Sequence, residues 1–521
     1  MNIAILLDLV ADTLADRIAL SDEAGDTTYA DLRDLARSAA AELAGADVRT
    51  LAFADVTSAA VPAALFGAAW AGAAYAPLNF RLPAESLRAQ VARLDRPVTV
   101  TSPELTGRLG SSPGRSSDEW LLGIRTTTGT SDAPYHPEPD GAAVILFTSG
   151  SSGSPKAALL SHDNLLSYVM ETVEFAGADD DEALLLAAPP FHIAGVAAVL
   201  SSVYSGRRIL PLANFTPEGW LRQARAQSAT HAFLVPTMLA RIVQAMHADP
   251  GLRVPTLRSI SYGGARMAMP ILERALDQFP QVDFVNAYGL TETSSTIAVL
   301  GPDEHREFLA SADPEVRRRL QSVGRPLHGV EVAVLGEEGR SAPPGATGPI
   351  RVRGPQVGGQ YLDTASSLDR DGWLVTGDVG FVDGAGYLFV ESRADDVIIK
   401  GGENLSPSEI EDVLLRHASV QAAAVVGIPD PEWGETVAAA VVVDQRPDSP
   451  GSEQLAEVLR SWVRDHLGSL KTPTRVDVWD ELPATATGKL LRRAVRDRLA
   501  STDPPAAGAG PATGPSGGAT G

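Results

Sequence analysis

The amino-acid sequence predicts an α/β protein with a large N-terminal domain of layered α/β subdomains, a small β-rich subdomain and a small α+β C-terminal domain. Helical and β-like segments alternate through about the first 110 residues, which is the pattern of layered α/β folds. Between 330 and 390 the apolar residues change to a period of two, with Gly and Pro between the runs, which indicates a β-rich subdomain. A charged stretch, 393–400, leads into a last unit that mixes both patterns.

The first part of the chain is predicted to alternate helices with short strands. Residues 1–20 have the spacing of an amphipathic helix and lack the basic segment of a signal peptide. Prolines interrupt two long uncharged runs, 58–80 and 183–205, so these runs are predicted to be buried rather than membrane-spanning. A stretch rich in Ser, Thr, Gly and Pro, 111–140, predicts a loop between subdomains. The further predicted elements are helices 29–43, 60–71 and 84–94 and strand 98–101.

The middle of the chain continues the alternation. Its predicted elements are strands 144–147, 231–235, 257–262 and 282–288, helices 164–172, 220–227, 237–247 and 271–279, and the β-rich strands 330–335, 349–352 and 387–390. The last unit is predicted to contain helices 407–417, 453–466 and 489–499 and strands 423–426, 437–443 and 475–479. We therefore expect an N-terminal domain over 1–394, a C-terminal domain over 395–500, and a disordered Pro/Gly/Ala/Thr tail over 501–521.

The composition limits the kinds of partner and site. The 521 residues carry a formal net charge of −22, which argues against nucleic acid or an anionic membrane as a partner. The chain has no cysteine, which rules out disulfides, Cys-ligated metals and a cysteine nucleophile. We expect a cytoplasmic protein that holds any anionic ligand in a local pocket.

A loop of small residues follows the predicted strand 144–147. Glycines let successive backbone N–H groups face one anion, hydroxyls add donors, and a final lysine adds a charge suited to phosphate. The spacing differs from a Walker A loop, because Ala157 follows the lysine. A flexible Gly/Ser linker is the competing interpretation. The candidate phosphate-binding residues are Thr148, Ser149, Gly150, Ser151, Ser152, Gly153 and Lys156.

Three further segments follow predicted strands. The segment 286–293, NAYGLTET, offers a ring for stacking, a hydroxyl for phosphate and a carboxylate able to hold Mg²⁺. Gly263-Gly264-Ala265 is a small-residue turn, and Asp378 of Thr376-Gly377-Asp378 is placed to hold a ribose. Taken alone, an ordinary strand-to-helix turn and an Asp-led turn explain the first and last segments as well.

Seven motifs in a fixed order carry a specific resemblance. They are TSGSSGSPK, PPFHIAG (189–195), YGGA (262–265), NAYGLTET, TGD, SRADDVIIKGGENLSPSEIE (392–411) and PATATGK (483–489). With these motifs the chain, over about residues 10–498, resembles the acyl-adenylate-forming superfamily of acyl-CoA synthetases, adenylation domains and luciferases. The resemblance implies that ATP and a carboxylic acid form an acyl-adenylate with release of pyrophosphate, and that a thiol then takes the acyl group.

The resemblance also implies roles for individual residues. Lys489 would be the catalytic lysine that bridges the acid and the α-phosphate, and the opening loop with Lys156 would hold the β- and γ-phosphates. Thr291 would contact the α-phosphate, and Glu292 would bind Mg²⁺. The small C-terminal domain would rotate about Asp395 between the two half-reactions. The remaining nucleotide and coenzyme A set would be Gly263, Gly264, Ala265, Asn286, Ala287, Tyr288, Gly289, Asp378, Arg393, Gly401, Gly402 and Trp433.

The acid is predicted to lack an α-ammonium group. Amino-acid-activating relatives typically carry an aspartate near the PPFHIAG segment, whereas this segment has none. The implied pocket residues are His192, Gly195, Gly264 and Gly289, and small side chains there leave room for an aryl ring or a medium acyl chain. Aromatic and aliphatic acids both remain open, and His192 is either a gate or a hydrogen-bonded structural residue.

Two departures from the family pattern bear on the acceptor and the loop. Ser152 replaces the usual threonine and keeps the hydroxyl. Leu470 stands where the family often has an aromatic that holds coenzyme A, so coenzyme A is less certain than ATP and Mg²⁺; Trp433 either contacts coenzyme A or packs on its own domain.

The leading hypothesis is an acyl-CoA ligase, as a monomer or homodimer. The alternative is a free-standing adenylation enzyme that loads a carrier protein or joins the acid to an amine. A catalytically dead relative is disfavoured, because Lys156, Glu292, Asp378, Arg393 and Lys489 are all present. A luciferase-like oxidase has no positive support in the residues.

Overall fold

The structure is a computed structural model that describes residues 1–106, 109, 114–126, 135–136, 141–148, 155–336, 339–443, 452–485 and 490–501. The chain divides into two compact units, Met1–Val390 and, among the described residues, 391–485 with 490–501. The predicted boundary between 394 and 395 stays a prediction. Ser501 ends a helix, and the rest of the predicted tail lies outside the described residues.

The described α-helices are α1 (Ala4–Thr13), α2 (Tyr29–Gly45), α3 (Ala60–Trp70), α4 (Ala84–Val91), α5 (Pro103–Thr106), α6 (Ser117–Thr126), α7 (His162–Thr172), α8 (Ile193–Ser205), α9 (Pro217–Ala226), α10 (Pro236–Ala248), α11 (Met269–Gln278), α12 (Pro302–Ala310), α13 (Pro314–Arg318), α14 (Pro407–Leu415), α15 (Ser452–Lys471) and α16 (Arg492–Ser501).

The described strands are β1 (Ile18–Asp22), β2 (Gly25–Thr28), β3 (Thr50–Ala54), β4 (Ala74–Pro77), β5 (Pro97–Thr101), β6 (Gly114–Ser116), β7 (Ala142–Thr148), β8 (Lys156–Ser161), β9 (Ala183–Leu186), β10 (Arg208–Pro211), β11 (His231–Leu234), β12 (Ser259–Gly263), β13 (Asp283–Leu290), β14 (Ser295–Leu300), β15 (Arg325–Pro326), β16 (Glu331–Val334), β17 (Gly348–Arg353), β18 (Gln360–Tyr361), β19 (Leu374–Val382), β20 (Leu388–Arg393), β21 (Ile398–Lys400), β22 (Glu403–Leu405), β23 (Val420–Asp430), β24 (Gly434–Val443) and β25 (Arg475–Val478).

Two large sheets form the layers of the first unit. One has the strand order β18-β8-β7-β4-β3-β5-β6, and the other has the order β15-β14-β13-β12-β11-β9-β10-β1-β2. Helices α1, α2, α3 and α8 share one buried core with both sheets, so they lie between them. Strand β9 shows why the layers form: Leu184 and Leu186 face this core, whereas Leu185 faces the core of α9, α10 and α11. The α/β prediction is confirmed.

Helix α3 accounts for nearly half of the first long uncharged run. Every residue from Ala60 to Trp70 is buried, so the run is apolar on all sides because it lies inside the protein. Within the described ranges, no helix combines the length and the apolar character needed to cross a membrane.

The predicted loop over 111–140 is wrong in its first half. Strand β6 and helix α6 occupy 114–126, and Trp120 and Ile124 are buried four residues apart on one face of α6. Ser116 Oγ accepts from Glu119 N, 3.2 Å away, which caps the helix. The Ser, Thr and Gly content of the whole stretch hid this short apolar face. The rest of the predicted loop, apart from 135–136, lies outside the described residues.

The β-rich subdomain is the sheet β16-β17-β19-β20. Ile350, Val352, Leu374 and Leu388 fill its core. Asp378 was expected at the end of a strand, but β19 continues past it to Val382. Its carboxylate therefore projects from the middle of a strand that is paired with β17.

The second unit is an α+β fold around the strand order β22-β21-β24-β23, with β25 parallel to β24. Side chains of α14 and α15 pack on one face, where Val425 and Val441 are buried. Val495 and Leu499 of α16 pack on the other face with Val426 and Trp479. This is the α+β organisation that the sequence predicts for the last unit.

Candidate active site

The parallel strands of the nine-stranded sheet set the position of the candidate site in the first unit. Strands β9, β11, β12 and β13 run parallel, so their carboxyl ends meet at one edge of the sheet. His192 follows β9, Gly264 follows β12 and Glu292 follows β13. Ligands of open parallel sheets bind outside this edge. The fold thus brings three separate sequence motifs to one place.

The Gly/Ser-rich loop connects two paired strands. Thr148 at the end of β7 is the register partner of Lys156 at the start of β8, and Thr148 Oγ1 donates to the Lys156 carbonyl over 3.4 Å. The segment is therefore the connection of a β-hairpin, which excludes the linker interpretation. Residues 149–154, which include the predicted Ser149, Gly150, Ser151, Ser152 and Gly153, lie outside the described residues.

Tyr361 joins the hairpin to the turn after β13. The Lys156 ammonium lies over the Tyr361 ring, 5.4 Å from its centroid, and the Tyr361 hydroxyl donates to Glu292 Oε1 over 2.8 Å. Burial of the phenol, followed by the charge of Glu292, raises the pKa of Tyr361 above its ordinary value of 10. A protonated phenol is a hydrogen-bond donor, so the Tyr361 hydroxyl can hold the Glu292 carboxylate.

Glu292 lies in a tightly braced turn, Thr291–Thr293. Its carbonyl accepts from Gly358 N over 2.8 Å, and the Gln356 amide donates to the Thr293 carbonyl over 3.0 Å. The turn ends at Ser294 and Ser295, which have φ values of 54° and 108°. Positive φ at consecutive non-glycine residues is strained and persists only where surrounding contacts enforce it. Strand β14 follows, so the expected strand-to-helix turn is not present here.

Tyr288 holds the carboxylate of the TGD motif. Its hydroxyl donates to Asp378 Oδ2 over 2.6 Å, and Asp378 is 5 % exposed. Asn286, from the same strand, donates from Nδ2 to the Ser322 carbonyl over 3.1 Å. Asn286 therefore has a structural partner, whereas the Tyr288–Asp378 pair places a ring and an acid side by side. That combination suits a base and a ribose.

The glycines of the site serve different purposes. A Cβ on Gly263 would lie 2.2 Å from the Ala287 carbonyl oxygen, and a Cβ on Gly289 would lie 1.8 Å from the Ser295 carbonyl oxygen. These two glycines permit close packing of neighbouring strands. Gly264 differs, because its φ is 78° and a Cβ would meet only Val235 Cγ1, at 3.6 Å. Gly264 and its exposed neighbour Ala265 are the ones that leave the backbone open to a ligand.

The PPFHIAG segment leads into α8. His192 is half-buried at the N-cap of α8, and its ring lies 4.9 Å from that of Phe191. A Cβ on Gly195 would lie 2.4 Å from the Pro189 carbonyl oxygen. Position 195 has no space for a side chain, because the chain folds back on itself there. The glycine therefore gives no evidence of room for a substrate.

A small cavity adjoins this segment. The Arg81 guanidinium lies 5.2 Å from the Phe80 ring centroid, and the Arg241 guanidinium lies 5.8 Å from that of Phe215. The cavity lining consists of Thr57, Phe80, Arg81, Ala187, Pro189, Pro190, Ala213, Phe215 and Met238. Cations on aromatic faces beside apolar walls suit a ligand with both an anionic and an apolar part. No sequence motif marks either arginine.

In the second unit, the predicted Gly401 and Gly402 form the turn between β21 and β22. Their φ values are 59° and 86°, as a two-residue type I′ hairpin requires. Gly401 N donates to the Trp433 carbonyl over 2.9 Å, and a Cβ on Gly401 would lie 2.8 Å from the indole. Trp433 packs on this turn and still is 46 % exposed. Both interpretations of Trp433 therefore stay open.

The hinge candidate Asp395 and Leu470, which stands where the family often has an aromatic, both lie in the second unit. Asp395 is exposed in a short 3₁₀ turn, Ala394–Asp396, and Arg393 is exposed just before it. The Lys400 ammonium is buried and donates to the Leu470 carbonyl over 3.0 Å. Leu470, which replaces the usual aromatic, is 36 % exposed.

Lys489 lies outside the described residues, in the segment 486–489. The chain on either side is fixed by an antiparallel bridge between Ala484 and Leu490. Arg492 donates to Glu411 Oε1 over 2.5 Å and to Glu411 Oε2 over 2.8 Å. The flanks of the predicted catalytic lysine are thus anchored to the core of their unit.

Two family models match the chain. The model described as AMP-binding enzyme matches residues 7–362, and the model described as AMP-binding enzyme C-terminal domain matches residues 409–489. The chain belongs to the AMP-binding enzyme family. The resemblance carried by the seven motifs is thereby confirmed.

Relatives in this family include enzymes of known structure. A feruloyl-CoA synthase from an Amycolatopsis species is 34 % identical over 489 residues, which cover 91 % of this chain and 94 % of that one. The o-succinylbenzoate CoA synthetase of Bacillus subtilis, in complex with an acyl-adenylate intermediate, is 28 % identical, with a TM-score of 0.81 and coverage of 94 % and 98 %. The amide bond synthetase McbA of Marinactinospora thermotolerans is 30 % identical, with a TM-score of 0.82 and coverage of 95 % and 99 %.

Tyr361 and Gln356 are the residues of this AMP-binding enzyme site that sequence reasoning missed. Neither lies in one of the seven motifs, and no local pattern marks them. The pairing of β18 with β8, about 200 residues earlier, brings Tyr361 to Lys156. Such a long-range pairing leaves no signal in a single sequence.

Proposed function

We propose that this AMP-binding enzyme is an ATP- and Mg²⁺-dependent acid–thiol ligase that makes an acyl-CoA from a carboxylic acid without an α-ammonium group. The observation that carries the proposal is the contact series Lys156–Tyr361–Glu292, beside Tyr288 and Asp378. A cation and a candidate metal-binding carboxylate contact one phenol, and the second phenol, Tyr288, lies in the strand that precedes this carboxylate. The CoA ligases among the relatives support the reaction class.

In the first half-reaction, a carboxylate oxygen of the acid attacks the α-phosphorus of ATP, and pyrophosphate leaves. Lys156 and the hairpin loop bind the β- and γ-phosphates, and Thr291 contacts the α-phosphate. Glu292 offers the hard oxygen ligand that Mg²⁺ prefers, and the bond from Tyr361 holds that carboxylate in place. Bound Mg²⁺ neutralises charge on the phosphate oxygens.

The nucleoside is held on the opposite side of the turn. The open backbone at Gly264 admits the adenine, the Tyr288 ring stacks beside it, and Asp378 accepts from the ribose hydroxyls. Arg393, at the start of the second unit, contributes to the ribose. Lys489 bridges the attacking acid oxygen and the α-phosphate, where negative charge accumulates.

In the second half-reaction, the coenzyme A thiolate attacks the acyl carbon, and AMP leaves with the bridging oxygen. A rotation about Asp395 replaces Lys489 by the turn at Gly401 and Gly402. We place this enzyme in the cytoplasm, where both ATP and coenzyme A are available.

The second candidate is transfer to a carrier-protein thiol or to an amine. Exposed Leu470, in place of an aromatic that helps relatives hold coenzyme A, favours this candidate. The amide bond synthetase among the similar structures shows that the fold supports amide formation in that protein.

The test is pyrophosphate release from a panel of aryl and aliphatic acids, with and without coenzyme A. We expect acid-dependent, Mg²⁺-dependent release with at least one acid, and the matching thioester when coenzyme A is added. Adenylation without any thioester would overturn the coenzyme A assignment and favour the second candidate. No release with any acid would contradict the ligase function as a whole.

A further inference from the structure

Tyr361 contacts both proposed phosphate-site residues, Lys156 and Glu292. We propose that Tyr361 is a positioning residue for the Mg²⁺–ATP site: its hydroxyl orients the Glu292 carboxylate, and its ring holds the Lys156 ammonium. This inference rests on the proposed function, which assigns Mg²⁺ to Glu292 and phosphate to Lys156.

The placement of Tyr361 follows from sheet register. Strand β18 pairs antiparallel with β8, and Tyr361 is the partner of Ala158. Ala158 and Lys156 are two residues apart and therefore project from the same face of β8. The Tyr361 ring lies diagonally opposite Lys156, within reach of a long side chain. Leu362 N donates to the Ala157 carbonyl over 2.9 Å, which fixes this register.

The hold on Glu292 is double. Gly358 N donates to the Glu292 carbonyl over 2.8 Å, and Tyr361 donates to its carboxylate over 2.8 Å. Both donors belong to one short segment, 358–361, so this segment holds both the backbone and the side chain of Glu292. The strained backbone at Ser294 and Ser295 shows that the turn needs such support.

Tyr361 contacts two opposite charges. Among the described side chains, Lys156 and Glu292 are not paired with each other, whereas both contact Tyr361. A direct pair would neutralise the cation that the phosphates need and the anion that the metal needs. With the phenol in contact with both, each charge remains directed to its own ligand.

The experiment compares Tyr361→Phe with Tyr361→Leu and with a matched control. Tyr387 donates to Glu304 Oε1 over 2.8 Å, and Arg325 lies 4.3 Å from its ring centroid. Tyr387→Phe therefore removes the same kind of phenol–carboxylate bond, also beneath a cation, at a place outside the proposed machinery. Thermal unfolding of all three variants separates loss of folding from loss of positioning.

The readout is ATP binding by isothermal titration at a series of free Mg²⁺ concentrations, which needs no acid substrate. We expect Tyr361→Phe to raise the Mg²⁺ concentration for half-maximal binding about tenfold, the lower end of the effect of one hydrogen bond to a charged group. Tyr361→Leu, which also loses the cation–ring contact, should weaken ATP binding about threefold further at saturating Mg²⁺. Tyr387→Phe should match the wild type.

An unchanged Mg²⁺ dependence in a folded Tyr361→Phe protein would overturn the inference, as would an equal shift in Tyr387→Phe. Pyrophosphate release by the wild-type protein is measured separately. Its absence would contradict the proposed function, whereas the titration still decides the role of Tyr361.

Discussion

Two phenol–carboxylate pairs determine the candidate site at the scale of single residues. Tyr288 donates to Asp378 over 2.6 Å, and Tyr361 donates to Glu292 over 2.8 Å. In each pair a stiff aromatic side chain with few torsions holds an acid that would otherwise rotate. The acids are thereby oriented before any ligand binds, which lowers the entropic cost of binding.

The first pair yields a prediction on nucleotide affinity. Tyr288→Phe keeps the ring but removes the hydrogen bond to Asp378, so the KM for ATP should rise about tenfold, with kcat changed much less. Steady-state pyrophosphate release at varied ATP checks this. Tyr387→Phe is the control, since Tyr387 bonds Glu304 elsewhere in the same unit. A drop in kcat at constant KM would contradict the assignment of Tyr288 to the nucleoside.

The candidate site residues in the motifs could be predicted from the sequence, whereas the residues that hold their side chains in place could not. Glu292 and Asp378 lie in segments whose residue types already suggest magnesium and ribose. Tyr361 has an ordinary local sequence, and its function depends on a partner strand about 200 residues away. Conversely, the small size of Gly195 suggested a pocket but reflects contact with the Pro189 carbonyl.

At the scale of elements, the end of β12 combines two glycines that differ in the space available for a side chain. Gly263 is pressed against the Ala287 carbonyl of β13, because a Cβ there would approach within 2.2 Å. Gly264, one residue later, has space around it but a left-handed backbone. One glycine therefore maintains the sheet and the next presents its open edge.

These glycines give a paired prediction. Gly263→Ala should force β12 from β13 and lower the unfolding free energy by about 1–3 kcal/mol, as overpacking does. Gly264→Ala should cost only about 1 kcal/mol of stability for its left-handed backbone. Because we propose that the adenine binds at Gly264, the same change should raise the KM for ATP. Urea unfolding measures the stability of both variants, and steady-state kinetics measures their KM for ATP. A larger loss of stability in Gly264→Ala than in Gly263→Ala would contradict the packing account.

The order and type of most elements could be predicted, because hydrophobic period and turn residues are local signals. Helix α6 was missed because only Trp120 and Ile124 mark its buried face within a polar stretch. A type I′ turn favours glycine at both central positions, so the backbone alone explains Gly401 and Gly402 without any ligand. Strand order in the sheets depends on pairings over long separations and was not predicted.

At the scale of the whole molecule, buried histidines link stability to pH. Burial, the largest cause in each case, lowers the pKa of His162, His231 and His305 from 6.5 to about 4. The contacts of His305 fit a neutral imidazole, which has one donor and one acceptor nitrogen. Its Nδ1 lies 2.7 Å from the Gly301 carbonyl, and its Nε2 lies 2.8 Å from the Tyr262 hydroxyl.

The sign of the pH effect follows from these shifts. Below pH 6.5 the unfolded chain binds protons that the folded histidines exclude, so stability should fall as the pH decreases toward 4. Each histidine adds up to about 1.4 kcal/mol per pH unit in that window. His305→Gln should make the slope of unfolding free energy against pH shallower. Identical slopes in the wild type and His305→Gln would contradict the account.

The two-unit organisation gives a prediction on the half-reactions. Lys489→Ala should abolish adenylation but still convert a supplied acyl-adenylate to thioester, because the role proposed for the lysine belongs to the first step alone. Asp395→Pro should spare adenylation and slow the overall reaction, since proline restricts the hinge backbone. Equal loss of both half-reactions in a folded Lys489→Ala protein would contradict the two-conformation scheme.

The central claim, that the acid is activated as an acyl-adenylate, is tested most directly by oxygen labelling. An acid carrying ¹⁸O in both carboxyl oxygens is converted with ATP and coenzyme A, and the products are analysed by mass spectrometry. We predict one ¹⁸O in AMP, one in the thioester carbonyl and none in pyrophosphate, because the bridging oxygen leaves with AMP. Unlabelled AMP, or ¹⁸O in inorganic phosphate formed with ADP, would contradict the account.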